Sequence, residues 1–74
     1  MTAKEIFKEL GYKYLERNNC IHYEWEDESK IHWANICFNL DYKSVFACQD
    51  YDPMQIDMQT FKAITKQMEE LGWL

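Results

Sequence analysis

Two stretches of this chain alternate apolar and polar residues with a period of two, and that pattern limits the fold more than any other feature. In residues 20–26, Ile21, Tyr23 and Trp25 fall on one side, with Cys20, His22 and Glu24 on the other. In residues 31–40, Ala34, Ile36, Phe38 and Leu40 share a side. Period two is the side-chain repeat of a strand, so both segments belong in a sheet with one face buried. The polar residues 27–30 leave room only for a turn, which makes the two strands antiparallel neighbours. A strand over residues 12–17 precedes them through Asn18-Asn19, a pair that tolerates the positive φ of a two-residue hairpin. Residues 41–44 turn the chain again, and residues 45–49 form the last strand.

The period changes on either side of this meander. Residues 2–10 read as a helix. Thr2 caps it, Glu5 lies at the capping-box spacing, and Ile6, Phe7 and Leu10 make one apolar stripe. Residues 50–56 read as a loop with Pro53 as a breaker. Asp57 then caps a second helix, with Ile56 and Phe61 at staple positions and Phe61, Ile64, Met68 and Leu71 as its expected buried stripe. The chain's only glycines, Gly11 and Gly72, stand where these two helices must stop, and Trp73-Leu74 is placed to fold back on the core. The expected fold is α+β, in the order α-β-β-β-β-α: an antiparallel four-stranded meander with both helices packed on one face. At 74 residues, the whole of 1–74 is a single domain.

Turn positions give a provisional register. With Asn18-Asn19 at the tip, Tyr14 opposes Tyr23 and Lys13 opposes Glu24. A second turn centred on Glu28-Ser29 sets Ile21 against Ile36 and Cys20 against Cys37. A third centred on Tyr42-Lys43 sets Leu40 against Val45, Phe38 against Ala47 and Cys37 against Cys48. The helix-covered face then holds Tyr12, Tyr14, Ile21, Tyr23, Trp25, Ala34, Ile36, Phe38, Leu40, Val45 and Ala47, where aromatic rings pack. The opposite face holds Leu15, Cys20, His22, Trp33, Cys37, Phe46 and Cys48, among Lys13, Glu24 and Asn35. That is more apolar than a solvated sheet face, and a second copy of the chain is the simplest cover.

Charge excludes some functions. The net charge is −5, and the eight Lys and Arg residues are scattered, which argues against a nucleic-acid binder. The order of elements is close to that of a double-stranded-RNA-binding domain, but the second helix opens with Asp57, Met58 and Gln59 instead of the basic start that reaches phosphates. No apolar run is long enough to span a bilayer. Residues 1–5 carry an early acid and no h-region, and three cysteines without regular spacing do not form a secreted disulfide framework, so the expected location is the cytoplasm.

Four groups of residues merit weighing. Glu24, Glu26, Asp27 and Glu28 form an acidic hairpin tip that would suit a basic protein surface of a host. Cys20, Cys37 and Cys48 with His22 are a zinc ligand set in type. The tetrahedron is poorly served by a flat row, however, and no Cys-x-x-Cys pair is present, so packed thiols are preferred and no cofactor is expected. Arg17 opposite Cys20 would favour a thiolate, but no orienting third group or glycine-rich oxyanion loop accompanies it, and the chain does not read as an enzyme. Asp50, Asp52 and Asp57 lack the glycine and terminal Glu of an EF-hand loop.

The opening, Met1-Thr2-Ala3-Lys4-Glu5-Ile6-Phe7-Lys8-Glu9-Leu10-Gly11-Tyr12, and the close, Phe61-Lys62-Ala63-Ile64-Thr65-Lys66-Gln67-Met68-Glu69-Glu70-Leu71-Gly72-Trp73, resemble the ends of a small uncharacterised family encoded in phages and prophages of Gram-positive bacteria. The resemblance spans the chain in order and length and is specific at its two ends. It implies expression inside a bacterial cell and an accessory role, and it carries no catalytic or binding residues. The expected function is protein–protein interaction, with a homodimer formed through Leu15, His22, Trp33, Cys37, Phe46 and Cys48. The alternatives are an acidic inhibitor acting through the hairpin tip, and a small zinc-binding domain.

Overall fold

Both helices end in the same backbone device, and it sets how the chain enters and leaves the sheet. In the computed structural model, which describes residues 1–74, the first helix is α1 (Ala3–Glu9) and the second is α2 (Met58–Glu70). After α1, Gly11 adopts φ 95° and donates its N–H to Lys8 O, while Tyr12 donates to Phe7 O. After α2, Gly72 at φ 76° donates to Glu69 O, and Trp73 donates to Met68 O. Each is a complete Schellman motif. Its customary apolar contact is also present at α1, where the Phe7 and Tyr12 rings meet edge-on at 5.6 Å. Thr2 and Glu5 form the reciprocal capping box, and the Asp57 carboxylate accepts the Thr60 N–H.

Between the helices run β1 (Lys13–Arg17), β2 (Cys20–Glu26), β3 (Trp33–Asn39), β4 (Ser44–Gln49) and β5 (Asp52–Pro53), paired antiparallel in sequence order. The α-β-β-β-β-α order holds, with a short fifth strand added inside the segment expected to be a loop. Asp50 and Tyr51 both take positive φ, 50° and 70°, and form a two-residue hairpin turn that sets Asp52 against Gln49. Pro53 closes this strand at the sheet edge, where its missing N–H costs no ladder bond. No helix is long and apolar enough to cross a membrane.

The first hairpin has the expected register: Asn18 and Asn19 sit at φ 52° and 57°, and Lys13 faces Glu24. The next two hairpins are each displaced by two residues. Cys20 faces Asn39 and His22 faces Cys37; Cys37 then faces Phe46, and Asn35 faces Cys48. The cause lies in the turns. The Asp27 carboxylate accepts from the Ser29 hydroxyl at 2.8 Å and from the Ile31 N–H at 3.2 Å, which draws Ile31 and His32 out of the strand and into the loop. Asn39 Oδ1 accepts the N–H groups of Asp41 and Tyr42, each at 3.0 Å, and starts the third turn one residue early. Because both displacements are even, every side chain keeps its expected face.

The core lies between the helix layer and one sheet face: Phe7, Ile21, Tyr23, Ile36, Phe38, Ala63 and Ile64. Phe7 stacks on Tyr23 at 3.8 Å, Phe38 meets both edge-on, and Trp73 folds back to 6.3 Å from Phe38. The α2 stripe differs from expectation. Thr60, Ala63, Ile64 and Gln67 are buried, whereas Phe61 is 51% exposed and Ile56 40%, so neither the stripe through Phe61 nor the Ile56–Phe61 staple forms inside the core. Ala63 and Ala3 are both fully buried, and α1 and α2 pack against each other. Glu70 closes the pair by accepting the Ala3 N–H at 2.9 Å.

Candidate functional site on the open sheet face

The sheet face away from the helices is where the structure gathers the expected interface residues. On it, Leu15 faces His22, His22 faces Cys37 and Cys37 faces Phe46, one row across β1 to β4. Leu15, His22, Cys37 and Cys48 are half-buried by their neighbours, while Phe46, in the middle of β4, is 64% exposed. Trp33 stands at the end of β3, half-buried, with the Tyr51 ring edge-on at 5.2 Å. It is therefore at the rim of the face, and Phe46 takes its place as the most prominent residue.

Trp33 is held there by Asp50. One carboxylate oxygen accepts the Trp33 N–H at 2.9 Å, and the other lies 3.2 Å from His32 Nδ1. The Trp33 N–H bond, with His32 assisting, holds the Asp50 carboxyl below the usual carboxylate range. Asp57 is held down in the same way by the Thr60 N–H it caps. Asp50 and Asp57 thus each hold a backbone N–H, and Asp50 holds His32 as well. The clamping role of Asp50 has no local sequence signal, because its partners lie a whole strand away.

At the hairpin tip, Glu26 and Glu28 are exposed, Glu24 is half-buried on the open face, and the half-buried Asp27 turns its carboxylate onto its own loop. The Ser29 hydroxyl, followed by the His32 and Ile31 N–H groups, holds the Asp27 carboxyl below its ordinary value. Glu24, Glu26 and Glu28 line an open groove of about 640 Å³ with Trp25 and Trp33, but Lys13 and Lys30 border it and offset part of the negative field.

Among the cysteines, the shifted register replaces the expected row of three by a compact group of two with a histidine. The ligand atoms of Cys20, His22 and Cys37 all lie within 4.8 Å of one another, and no other set of three or more His, Cys, Asp or Glu residues comes together in this way. Cys48 is not in the group; it faces Asn35 on one side and Pro53 on the other. Cys37 Sγ is 3.9 Å from His22 Nε2. Burial, then a hydrogen bond and charge contact with Cys20, pushes the Cys37 thiol up to about 11. At neutral pH Cys37 is therefore a thiol, a weak nucleophile. His22 Nδ1 and Asn35 Oδ1 are buried and have no hydrogen-bond partner, so His22 lacks the orienting group of a nucleophile–base set.

No family model, curated protein or solved structure matches the chain.

Proposed function

We propose that this protein is a non-enzymatic interaction domain that self-associates through its open sheet face, with Leu15, His22, Trp33, Cys37, Phe46 and Cys48 in the contact. The observation carrying this reading is Phe46, a phenylalanine 64% exposed at the centre of a strand, in a row otherwise made of Leu15, His22 and Cys37. The orphaned His22 Nδ1 and Asn35 Oδ1 on the same face add support, since a covering surface can supply their partners. Four strands of up to seven residues give a face of about 19 by 23 Å in projection. At roughly 440 Å² per copy, about half the standard size, that footprint suits one sheet laid on another in a weak dimer. The accessory role inside a bacterial cell implied by the resemblance of the chain ends suits such a domain.

Sedimentation equilibrium of the unaltered protein and of Phe46→Ser tests the reading. Removing Phe46 from both copies should weaken the dimer by about 2–4 kcal/mol, roughly 30- to 900-fold in Kd. Two copies each carrying −5 repel, so added salt should strengthen the dimer. A monomer at all concentrations, or a Phe46→Ser dimer of unchanged affinity, refutes the reading. Salt-weakened binding to a basic protein surface by a monomer would favour the acidic tip at Glu24, Glu26, Asp27 and Glu28 instead.

A further inference from the structure

We propose that Cys20, His22 and Cys37 form a binding site for one zinc ion, held by two thiolate sulfurs and one imidazole nitrogen, with the fourth position on the side away from the helices. The donor chemistry is that of zinc, a borderline-soft cation that takes sulfur and nitrogen ligands. The geometry is close to what the ion needs. With zinc–sulfur bonds of about 2.3 Å and zinc–nitrogen bonds of about 2.0 Å, a tetrahedral site sets sulfur about 3.5 Å from nitrogen and sulfur about 3.8 Å from sulfur. Cys37 Sγ and His22 Nε2 stand 3.9 Å apart, and the whole group fits within 4.8 Å, so rotamer adjustments of less than about 1 Å close it.

The fold explains why these three residues meet. Cys20 and His22 are two apart on β2 and share its outward face, and His22 and Cys37 are direct cross-strand partners. Because Cys37 projects from a different strand, the three donors form a triangle and not a line. The objection that a flat row serves a tetrahedron poorly applies to a row through Cys48, which this register removes.

Nothing in the chain fixes the tautomer of His22, whose Nδ1 has no hydrogen-bond partner. Binding transfers the proton of each thiol to solvent and gives a sulfur lone pair to the ion, with no change of oxidation state. Two thiolates neutralise the divalent charge, so the filled site places no net charge on a half-buried surface. Proton release makes the affinity rise with pH.

The test uses the full chain under reducing conditions with cobalt(II) as an optical probe and zinc as its competitor. Tetrahedral cobalt bound by thiolates should give a sulfur-to-metal charge-transfer band and strong visible bands at one metal per chain, removed by one equivalent of zinc. Cys20→Ser and Cys37→Ser should each weaken binding at least tenfold, while Cys48→Ser and Phe46→Ser should leave it unchanged. Retention in Phe46→Ser separates the metal site from self-association. Should a cysteine variant unfold by circular dichroism, alkylation of the unaltered protein with and without zinc still decides: zinc should slow the alkylation of Cys20 and Cys37 and leave the rate at Cys48 unchanged. Absence of the bands, equal binding by the Cys20→Ser/Cys37→Ser double variant, or zinc-dependent protection of Cys48 overturns the proposal.

Discussion

Tyr23→Phe removes one oxygen from the centre of the molecule, and the structure says what that should cost. Tyr23 is 1% exposed, stacked on Phe7, and its hydroxyl donates to Oε1 of Gln67, itself 6% exposed on α2. Burial raises the Tyr23 phenol further above its ordinary value, so the hydroxyl is a permanent donor. This bond is a polar tie between sheet and helix inside an otherwise apolar core. In Tyr23→Phe the ring packing survives and Gln67 Oε1 is left buried without a partner, at a cost of about 1–3 kcal/mol. A chain of 74 residues has roughly 4–11 kcal/mol in total, so the loss is a substantial fraction of its stability. The melting temperature should drop by roughly 4–8 °C for each kcal/mol. Gln67→Met orphans the Tyr23 hydroxyl and should cost a similar amount. The Tyr23→Phe/Gln67→Met double variant removes both polar groups and should return to within about 1 kcal/mol of the unaltered protein. Urea unfolding followed by circular dichroism provides all three values. Single-variant losses that simply add in the double variant would refute the reasoning, because the two groups would then not be partners.

Two further perturbations follow from the same geometry. Gly72→Ala places its Cβ in open space and should cost about 1 kcal/mol, from positive φ alone. Gly11→Ala adds an approach of 3.3 Å to Trp25 Cδ1 at φ 95° and should cost more, about 2–3 kcal/mol; equal melting temperatures for the two variants would count against this. Stability should also have two pH limbs, measurable by thermal melts across the range. Glu5, Asp27, Asp50 and Asp57 have folded pKa values below their unfolded ones, so their contribution is complete above the unfolded value near 4 and is lost as pH falls through the folded values. Cys37 is the reverse case: its contribution is complete below the unfolded value of 9.0 and is lost as pH rises through about 11. Cys37→Ser should remove the part of the alkaline limb between about 9 and 11 and leave the acid limb unchanged, while the raised phenols of Tyr12, Tyr14 and Tyr23 maintain a decline at higher pH.

Much of this was legible along the chain, and the parts that were not have a common cause. The sides taken by Ile21, Tyr23, Ile36 and Phe38, against His22, Cys37 and Phe46, follow from the pleat, which alternates residue by residue whatever the partner strand. The helix ends at Gly11 and Gly72, the cap at Thr2 with Glu5, and the turn at Asn18-Asn19 are set by groups only a few residues apart, so local sequence determined them. The register of β3 was decided elsewhere. It depends on how many residues the Asp27 carboxylate and the Asn39 side chain draw into their turns, and an even displacement leaves no trace in the alternation. The rotation of α2, which buries Ala63 and leaves Phe61 exposed, was decided by packing against the sheet and α1 together. The candidate site divides in the same way: its face was set by parity, but its composition was set by register. Only the folded sheet decided that Cys37 meets His22 with Cys20 beside it while Cys48 stands apart, because neighbours across strands are chosen by turn geometry and packing, which the spacing of residues along the chain does not encode.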